Sequence, residues 1–227
     1  MLNETQQLLW DEYLELETQK VRSALLTALE RFVDELVKTP LPIWRPWALN
    51  IAERAVDGDQ DITVRFPLFR RVLFPALLEG LRQQEPGCAR WLAGFSNLIY
   101  QSPECAESLG DEASEIALLR KALRLDQDDA LARERLIHAL RWQLEYSLHE
   151  LPSGVLFGAD GATVEECEKL QEELAEFERL VLAHGTRAEH QEIIQECRLH
   201  YWAYPNYLRR RSQFESYADY LARTGAA

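Results

Sequence analysis

Apolar residues recur every three or four positions along almost the whole chain of 227 residues. This spacing places them on one face of an α-helix, whereas a half-buried β-strand alternates apolar and polar residues. The only alternating run, residues 62–66, is too short to form a sheet by itself. The pattern therefore predicts an all-α fold, a single multi-helix domain over residues 1–227 with eight to ten helices.

Proline and glycine residues mark where the predicted helices end. The first helix is predicted over residues 3–38, where Thr39-Pro40 ends it. Residues 39–47 contain three prolines and are predicted to be a rigid, extended connector, which is also a possible sub-boundary of the domain. The other predicted helices are 47–56, 66–84 with Pro75 kinking or splitting it, 88–101, 103–109, 112–125, 128–149, 163–184, 186–202 and 205–223.

Two pairs of residues have the spacing of a capping box, in which a Thr at the helix start and a Glu three residues later bond to each other's backbone. They are Thr163 with Glu166, and Thr186 with Glu189. These pairs predict the starts of two of the long C-terminal helices. The glycine-rich stretch 151–162, which precedes the first of them, is predicted to be a loop and a second possible sub-boundary.

The chain is strongly acidic, with 38 Asp and Glu residues against 25 Lys and Arg residues and a net charge of −13. Residues 101–200 alone have a net charge of −12. This charge disfavours binding to nucleic acid, because affinity for phosphates depends on Lys and Arg. It favours fast encounter with a basic partner protein.

The sequence also indicates a cellular location. No apolar run reaches 18 residues, which excludes a membrane span, and the acidic start MLNETQQLLWDEY does not resemble a signal peptide. The four cysteines form no C-x-x-C pair and are predicted to be reduced thiols; they are Cys88, Cys105, Cys167 and Cys197. We therefore expect a cytoplasmic protein, and the excess of 21 Arg over 4 Lys is typical of a GC-rich bacterial genome.

One short segment resembles a known family. Residues 121–127, Lys-Ala-Leu-Arg-Leu-Asp-Gln, are similar to the end of the second helix of a tetratricopeptide repeat, with Ala122, Leu125 and Asp126 at matching positions. Gln127 stands where that family has Pro, the preceding helix lacks the family's Trp, Leu-Gly and Tyr positions, and no second copy follows at a 34-residue period. The resemblance implies at most that two neighbouring helices pack as a hairpin, in a solenoid-like portion of the chain.

Two groups of residues are candidate metal sites. Asp57, Asp59 and Asp61 alternate as in a calcium loop, but Ile62 and Leu68 occupy the positions where that loop needs Gly and Glu, so a solvated turn is the preferred interpretation. A second group lies on one predicted helix, and its preferred role is packing between helices: His190, Cys197 and His200. HExxH, G-x-S-x-G, P-loop and dinucleotide-binding motifs are absent. The sequence therefore predicts no catalytic residue, no metal and no cofactor.

The predicted helix 163–184 provides the main functional hypothesis. Its core-facing residues at three- and four-residue spacing are Val164, Cys167, Leu170, Leu174, Phe177 and Val181. Its outward acidic residues, the acidic stripe, are Glu165, Glu168, Glu172 and Glu176. We predict a non-enzymatic intracellular binding module, an adaptor or an antagonist of the immunity-protein type, whose acidic stripe binds a basic partner such as a toxin. The sequence leaves its oligomeric state open.

Two alternatives place the function elsewhere. The first is a helical enzyme or small-ligand-binding protein with a pocket near residues 152–161 and the aromatic C-terminal helix. The second is binding of single-stranded nucleic acid through Arg209–Arg211, which lie among aromatic residues. The preferred interpretation of these residues is structural. The triplet meets acidic neighbours, and an aromatic stripe docks the last helix on the core, formed by Tyr207, Phe214, Tyr217 and Leu221.

Overall fold

The computed structural model describes residues 2–19, 22–58, 62–151 and 162–225. Helices and short turns account for all the regular structure in these ranges, with no strand among them, which confirms the all-α class. Nor do the described helices include one that is long and apolar enough to cross a membrane. The chain divides into two compact units, Met1–Ala132 and Arg133–Ala227. The division falls inside a helix, at neither of the two sub-boundaries that the sequence suggested.

The N-terminal unit begins with a pair of helices that pack against each other, α1 (Glu4–Gln19) and α2 (Arg22–Leu36). The prediction of one helix over residues 3–38 is therefore wrong. The two helices instead bring together a cluster of aromatic rings. The Trp10 ring centroid lies 5.0 Å from that of Phe32 on α2. A single straight helix would leave these apolar faces in water, and folding back buries both.

The proline-rich segment is helical and not an extended connector, because helix α3 spans Leu41–Val56. Pro42 lies in the first turn, where backbone N–H groups have no partner inside the helix. Pro46 removes only the bond to the carbonyl of Pro42. The buried Trp44 ring fixes the start of the helix, since its Nε1 donates to the Thr39 carbonyl at 3.0 Å.

The predicted helix 66–84 is split before Pro75, as expected. A short α4 (Phe66–Leu68) passes into a π-helical turn (Phe69–Leu73) and then into α5 (Phe74–Arg82). Pro75 has no N–H to donate to the carbonyl four residues earlier, which accounts for the widened turn before it. The rest of the unit contains α6 (Cys88–Gly94), α7 (Ser96–Tyr100), α8 (Pro103–Leu109) and α9 (Glu115–Leu125). Because such breaks divide the predicted helices, the described residues contain more helices than the eight to ten that the sequence predicted.

The C-terminal unit contains the long helices that carry most of the candidate functional residues. They are α10 (Ala130–Glu150), which crosses the division, α11 (Val164–His184) and α12 (Gln191–Arg209), and the short helix α13 (Tyr217–Thr224) follows them. The capping box at the start of α11 is confirmed: Thr163 Oγ1 accepts from the Glu166 N–H at 3.2 Å, and the Glu166 side chain accepts from the Thr163 N–H at 2.7 Å.

The second predicted capping box, Thr186 with Glu189, is wrong. Gly185 has a positive φ of 80° and ends α11, and the Thr186 N–H donates to the Val181 carbonyl at 3.0 Å. This is the Schellman pattern of a helix C-terminus. Thr186 therefore completes the end of α11, and a 3₁₀ turn (Arg187–His190) precedes α12.

Pro205 lies inside α12, so the predicted start of the last helix at this residue is also wrong. The bond that Pro205 cannot make is the one to the carbonyl of Tyr201. That carbonyl accepts instead from Gln171 Nε2 on α11 at 2.8 Å. The last helix begins at Tyr217, where the Ser216 side chain accepts from the Asp219 N–H.

The aromatic stripe docks the last helix, as the sequence predicts. Tyr207 and Tyr217 are buried, while Phe214 and Leu221 are half-buried. The Tyr204 and Tyr217 rings meet edge to face with centroids 4.9 Å apart, which joins α12 to α13.

Candidate functional site

Helix α11 presents its predicted faces. Five of the six core-facing residues are buried, and Val164 is half-buried. In the acidic stripe, Glu165, Glu168 and Glu172 are exposed, and Glu176 is half-buried. The stripe therefore lies on the solvent side of α11.

A second acidic surface, which the sequence analysis missed, lies between α10, the 3₁₀ turn before α12, and α12. It is a cavity of about 380 Å³ that we name the acidic groove, lined by Arg141, Glu145, Leu148, His149, Glu189, Glu192, Ile193 and Glu196. Arg141 Nε donates to Glu145 Oε1 at 2.9 Å, and this pair is neutral overall. The other three carboxylates, those of Glu189, Glu192 and Glu196, therefore give the groove its negative charge. These side chains come from positions far apart in sequence and meet only in the folded unit.

An exposed aromatic pair lies on α10 beside this groove. Trp142 and Tyr146 follow directly after Arg141 and Glu145, and their side chains are 65% and 55% exposed. The two rings stack with centroids 6.0 Å apart and planes 14° from parallel. Exposed, mutually ordered aromatic rings are typical of protein-binding surfaces. The four-residue spacing of the pair is visible in the sequence, but the same spacing is typical of any two neighbours on one helix face.

A third surface lies between α11 and α12 and has the opposite charge. This cavity of about 650 Å³, the basic groove, is lined by Gln171, Leu174, Ala175, Glu178, Arg179, Leu182, Arg187, Arg198 and Trp202. Arg198 donates to both oxygens of Glu178, at 2.8 and 2.6 Å, and Arg187 lies 3.9 Å from the same carboxylate. Two guanidinium groups thus lie against one carboxylate, and Arg179 is a third arginine in the lining.

The group His190, Cys197 and His200 serves packing, as expected. Cys197 is fully buried, His190 meets the Phe177 ring edge to face, and His200 Nδ1 lies 2.8 Å from the Tyr217 hydroxyl. In the described ranges, no three His, Cys, Asp or Glu side chains are grouped so that they could hold a metal ion. Burial raises the pKa of Cys88 and Cys167 to about 11 and that of Cys197 to about 12. These thiols are therefore neutral and poorly nucleophilic at physiological pH.

The lowered pKa values of His190 and His200 predict how the stability of the fold depends on pH. Burial is the main cause that lowers the pKa of both His190 and His200, from the ordinary value of 6.5. The unfolded chain then binds protons more readily than the folded chain. The stability that the neutral histidines contribute is fully present above pH 6.5. It is lost as the pH falls through their lowered pKa values in the folded chain.

We therefore expect the melting temperature to fall between about pH 6.5 and pH 5, and to fall less steeply in the double variant His190→Gln, His200→Gln. The measurement is thermal unfolding followed by circular dichroism across this pH range. His184→Gln is the matched control, because His184 is exposed on α11. An unchanged slope in the double variant would show that other groups govern the acid transition.

Two expectations about charged residues need correction. Asp57 is not in a solvated turn: its side chain is 9% exposed and pairs with Arg90 at 2.6 Å, while Asp59 and Asp61 lie outside the described residues. The contacts described for the triplet Arg209–Arg211 are not with acidic neighbours. Arg209 donates to Asn206 at 3.4 Å, and Arg210 lies over the Tyr220 ring.

Two other expectations from the sequence stay predictions. The pocket predicted near residues 152–161 lies outside the described residues. In the segment that resembles a tetratricopeptide repeat, Ala122 is buried in α9, which packs against α6. The resemblance itself stays a prediction.

Comparisons of this chain with known proteins find no related protein. No family model matches this sequence, and neither a curated protein nor a solved structure matches it.

Proposed function

We propose that this chain is a non-enzymatic protein-binding module whose acidic groove takes a basic segment of a partner protein. The observation that carries the proposal is the exposed Trp142–Tyr146 stack beside a groove lined by Glu145, Glu189, Glu192 and Glu196. The concrete form is an intracellular adaptor or antagonist, acting on a basic partner as an immunity protein acts on a toxin.

The two parts of this surface have different roles in binding. The carboxylates attract a positively charged segment over a distance and accept its Lys and Arg side chains at the rim, which raises the association rate and makes it sensitive to salt. The Trp142 and Tyr146 rings supply apolar contact area that slows dissociation. The acidic stripe of α11 adds to the same negative field.

The charge of the groove also selects against nucleic acid. Exposed stacked rings can hold unpaired bases, but a phosphate backbone next to them would face the carboxylates of the groove. Affinity for nucleic acid depends on phosphate neutralisation by Lys and Arg, and among the described residues that line this groove the single such side chain is Arg141, which is paired with Glu145. A basic protein segment meets the rings without that repulsion.

The test is affinity capture from native lysate at about 50 mM and about 500 mM NaCl, read by mass spectrometry. The wild-type protein should capture a basic protein in stoichiometric amount at low salt and lose most of it at high salt. A groove variant with Gln at positions 145, 189, 192 and 196 should bind that partner at least about tenfold more weakly, and Trp142→Ala with Tyr146→Ala should raise its dissociation rate.

The matched control removes the same charge from exposed positions in the N-terminal unit, at Glu4, Asp11, Glu53 and Glu107. This control should keep the partner. Lys at the four stripe positions, Glu165, Glu168, Glu172 and Glu176, tests the stripe separately. If the stripe variant loses the partner while the groove variant retains it, the groove is the wrong site.

A further inference from the structure

The basic groove has an excess of positive charge on a chain whose net charge is −13. Its described lining contains three arginines, Arg179, Arg187 and Arg198, and one carboxylate, that of Glu178. Glu176 and the rest of the acidic stripe lie outside this lining. Three positive charges and one negative charge give the described lining a net charge of +2, which attracts an anionic group.

The guanidinium groups of this groove are held in place and still present N–H donors to solvent. Arg198 donates to Glu178 through Nε and Nη2, and this pair uses two of the five N–H donors of the guanidinium. Arg179 donates through Nε to the Ala175 carbonyl of its own helix at 3.3 Å, a bond that leaves its charge without a counterion. Arg179 and Arg198 are exposed and Arg187 is half-buried, so a carboxylate from outside can reach their donors.

Charge and an aromatic ring lie at different positions along the groove. Trp202 is 50% exposed and lies one helical turn after Arg198, roughly 6 Å farther along α12. Gln171 on α11 donates to the Tyr201 carbonyl at 2.8 Å, so the indole lies toward the Gln171 end and the arginines lie toward the Leu182 end. An occupant that matches both parts carries a carboxylate and, about one turn away, an apolar side chain.

We propose that the basic groove binds an acidic peptide segment of a partner protein, with Asp or Glu carboxylates on its arginines and an apolar side chain on Trp202. Between Gln171 and Leu182 the groove follows α11 for roughly 17 Å, which an extended segment of about five residues spans. Leu182 and Trp202 are at least half exposed, so the groove is open, whereas small-ligand pockets enclose most of the ligand. The acidic groove beside α10 is a separate surface, and the two grooves thus take segments of opposite charge.

The test is isothermal titration calorimetry of the full chain with a capped peptide of about six residues, in which Asp and Glu fill one half and Leu and Phe the other. The wild-type protein should bind it with a Kd below about 200 µM at about 50 mM NaCl. The double variant Arg179→Gln, Arg187→Gln makes the described lining neutral and keeps the Arg198–Glu178 pair, and it should bind the peptide at least about tenfold more weakly. Trp202→Ala should weaken binding at least about fivefold, because the apolar contact is lost.

Two matched controls remove the same groups from exposed positions outside the groove. Arg82→Gln with Arg211→Gln removes two arginines, and Trp142→Ala removes a tryptophan, and both should leave the peptide affinity unchanged. Circular dichroism shows whether each variant is folded.

Three results overturn the proposal. They are no binding by the wild-type protein at about 1 mM peptide, equal binding by the wild type and both groove variants, and equal binding of a peptide with Ser in place of Leu and Phe. The groove variant of the proposed function, which changes only carboxylates of the acidic groove, should still bind the acidic peptide. Failure of one proposal is therefore distinguishable from failure of the other.

Discussion

Replacing Arg90 with Met is expected to lower the free energy of unfolding by about 3–5 kcal/mol. Arg90 lies between two carboxylates in the N-terminal unit. It donates to Asp57 from Nε at 3.1 Å and from Nη2 at 2.6 Å, and its Nη1 pairs with Asp129. The three side chains are only 7–13% exposed. Without the guanidinium, both largely buried carboxylates would lose the cation that now lies between them.

Urea unfolding followed by circular dichroism measures this loss. Arg31→Met is the matched control, because the Arg31–Glu12 pair is 57% and 43% exposed and should contribute no more than about 1 kcal/mol. Adding Asp57→Asn and Asp129→Asn to Arg90→Met should recover part of the stability by removing the two negative charges that Arg90 neutralised. A loss below about 1 kcal/mol for Arg90→Met would show that water enters the cluster and solvates both carboxylates.

The positions of the helices that follow local rules could be predicted from the sequence. The apolar seam of α11 and its Thr163 cap depend on residues three or four apart, so the sequence contains the complete signal. The split at Pro75 follows from one missing N–H group in the same way.

The errors arose where a distant residue decides the local structure. Pro205 is accommodated inside α12 because Gln171, on another helix, donates to the carbonyl that the proline leaves free. The proline-rich start of α3 is helical because Trp44 is buried against the core of its unit. Neither Gln171 nor the core residues that cover Trp44 can be recognised from the residues near the prolines.

The candidate sites show the same limit. The acidic stripe lies on one helix and could be predicted, whereas the acidic groove combines Glu145 on α10 with carboxylates near the start of α12. Asp57 and Arg90 are separated by 33 residues, so the sequence near Asp57 does not indicate their pairing. For this reason a solvated turn was expected where the structure has a buried ion pair. Charge counting indicated an acidic surface, but only the packing of α10 against α12 shows where the carboxylates converge.

Replacing Gly80 with Ala should destabilise the N-terminal unit, although Gly→Ala inside a helix usually stabilises by about 0.5–1 kcal/mol. Gly80 lies within α5 and is buried. An added Cβ would overlap Cys88 Sγ, and it would lie 2.8 Å from Arg45 Nη2 and 3.1 Å from Glu85 Oε2. It would therefore disturb both a fully buried thiol and the Arg45–Glu85 pair, whose atoms are 2.5 Å apart. We expect a loss of about 1–3 kcal/mol from this overpacking.

A double-mutant cycle with Cys88→Ala identifies the cause of that loss. Removing Sγ gives the new methyl group the space that the thiol occupied, so Gly80→Ala should cost at least about 1 kcal/mol less in the Cys88→Ala background than in the wild type. Urea unfolding of the four proteins provides the coupling energy. If Gly80→Ala costs the same in both backgrounds, the thiol moves aside freely and the cost belongs to the displaced Arg45–Glu85 pair. If Gly80→Ala stabilises the wild type, α5 and α6 separate easily at this contact, and glycine is not needed for their close approach.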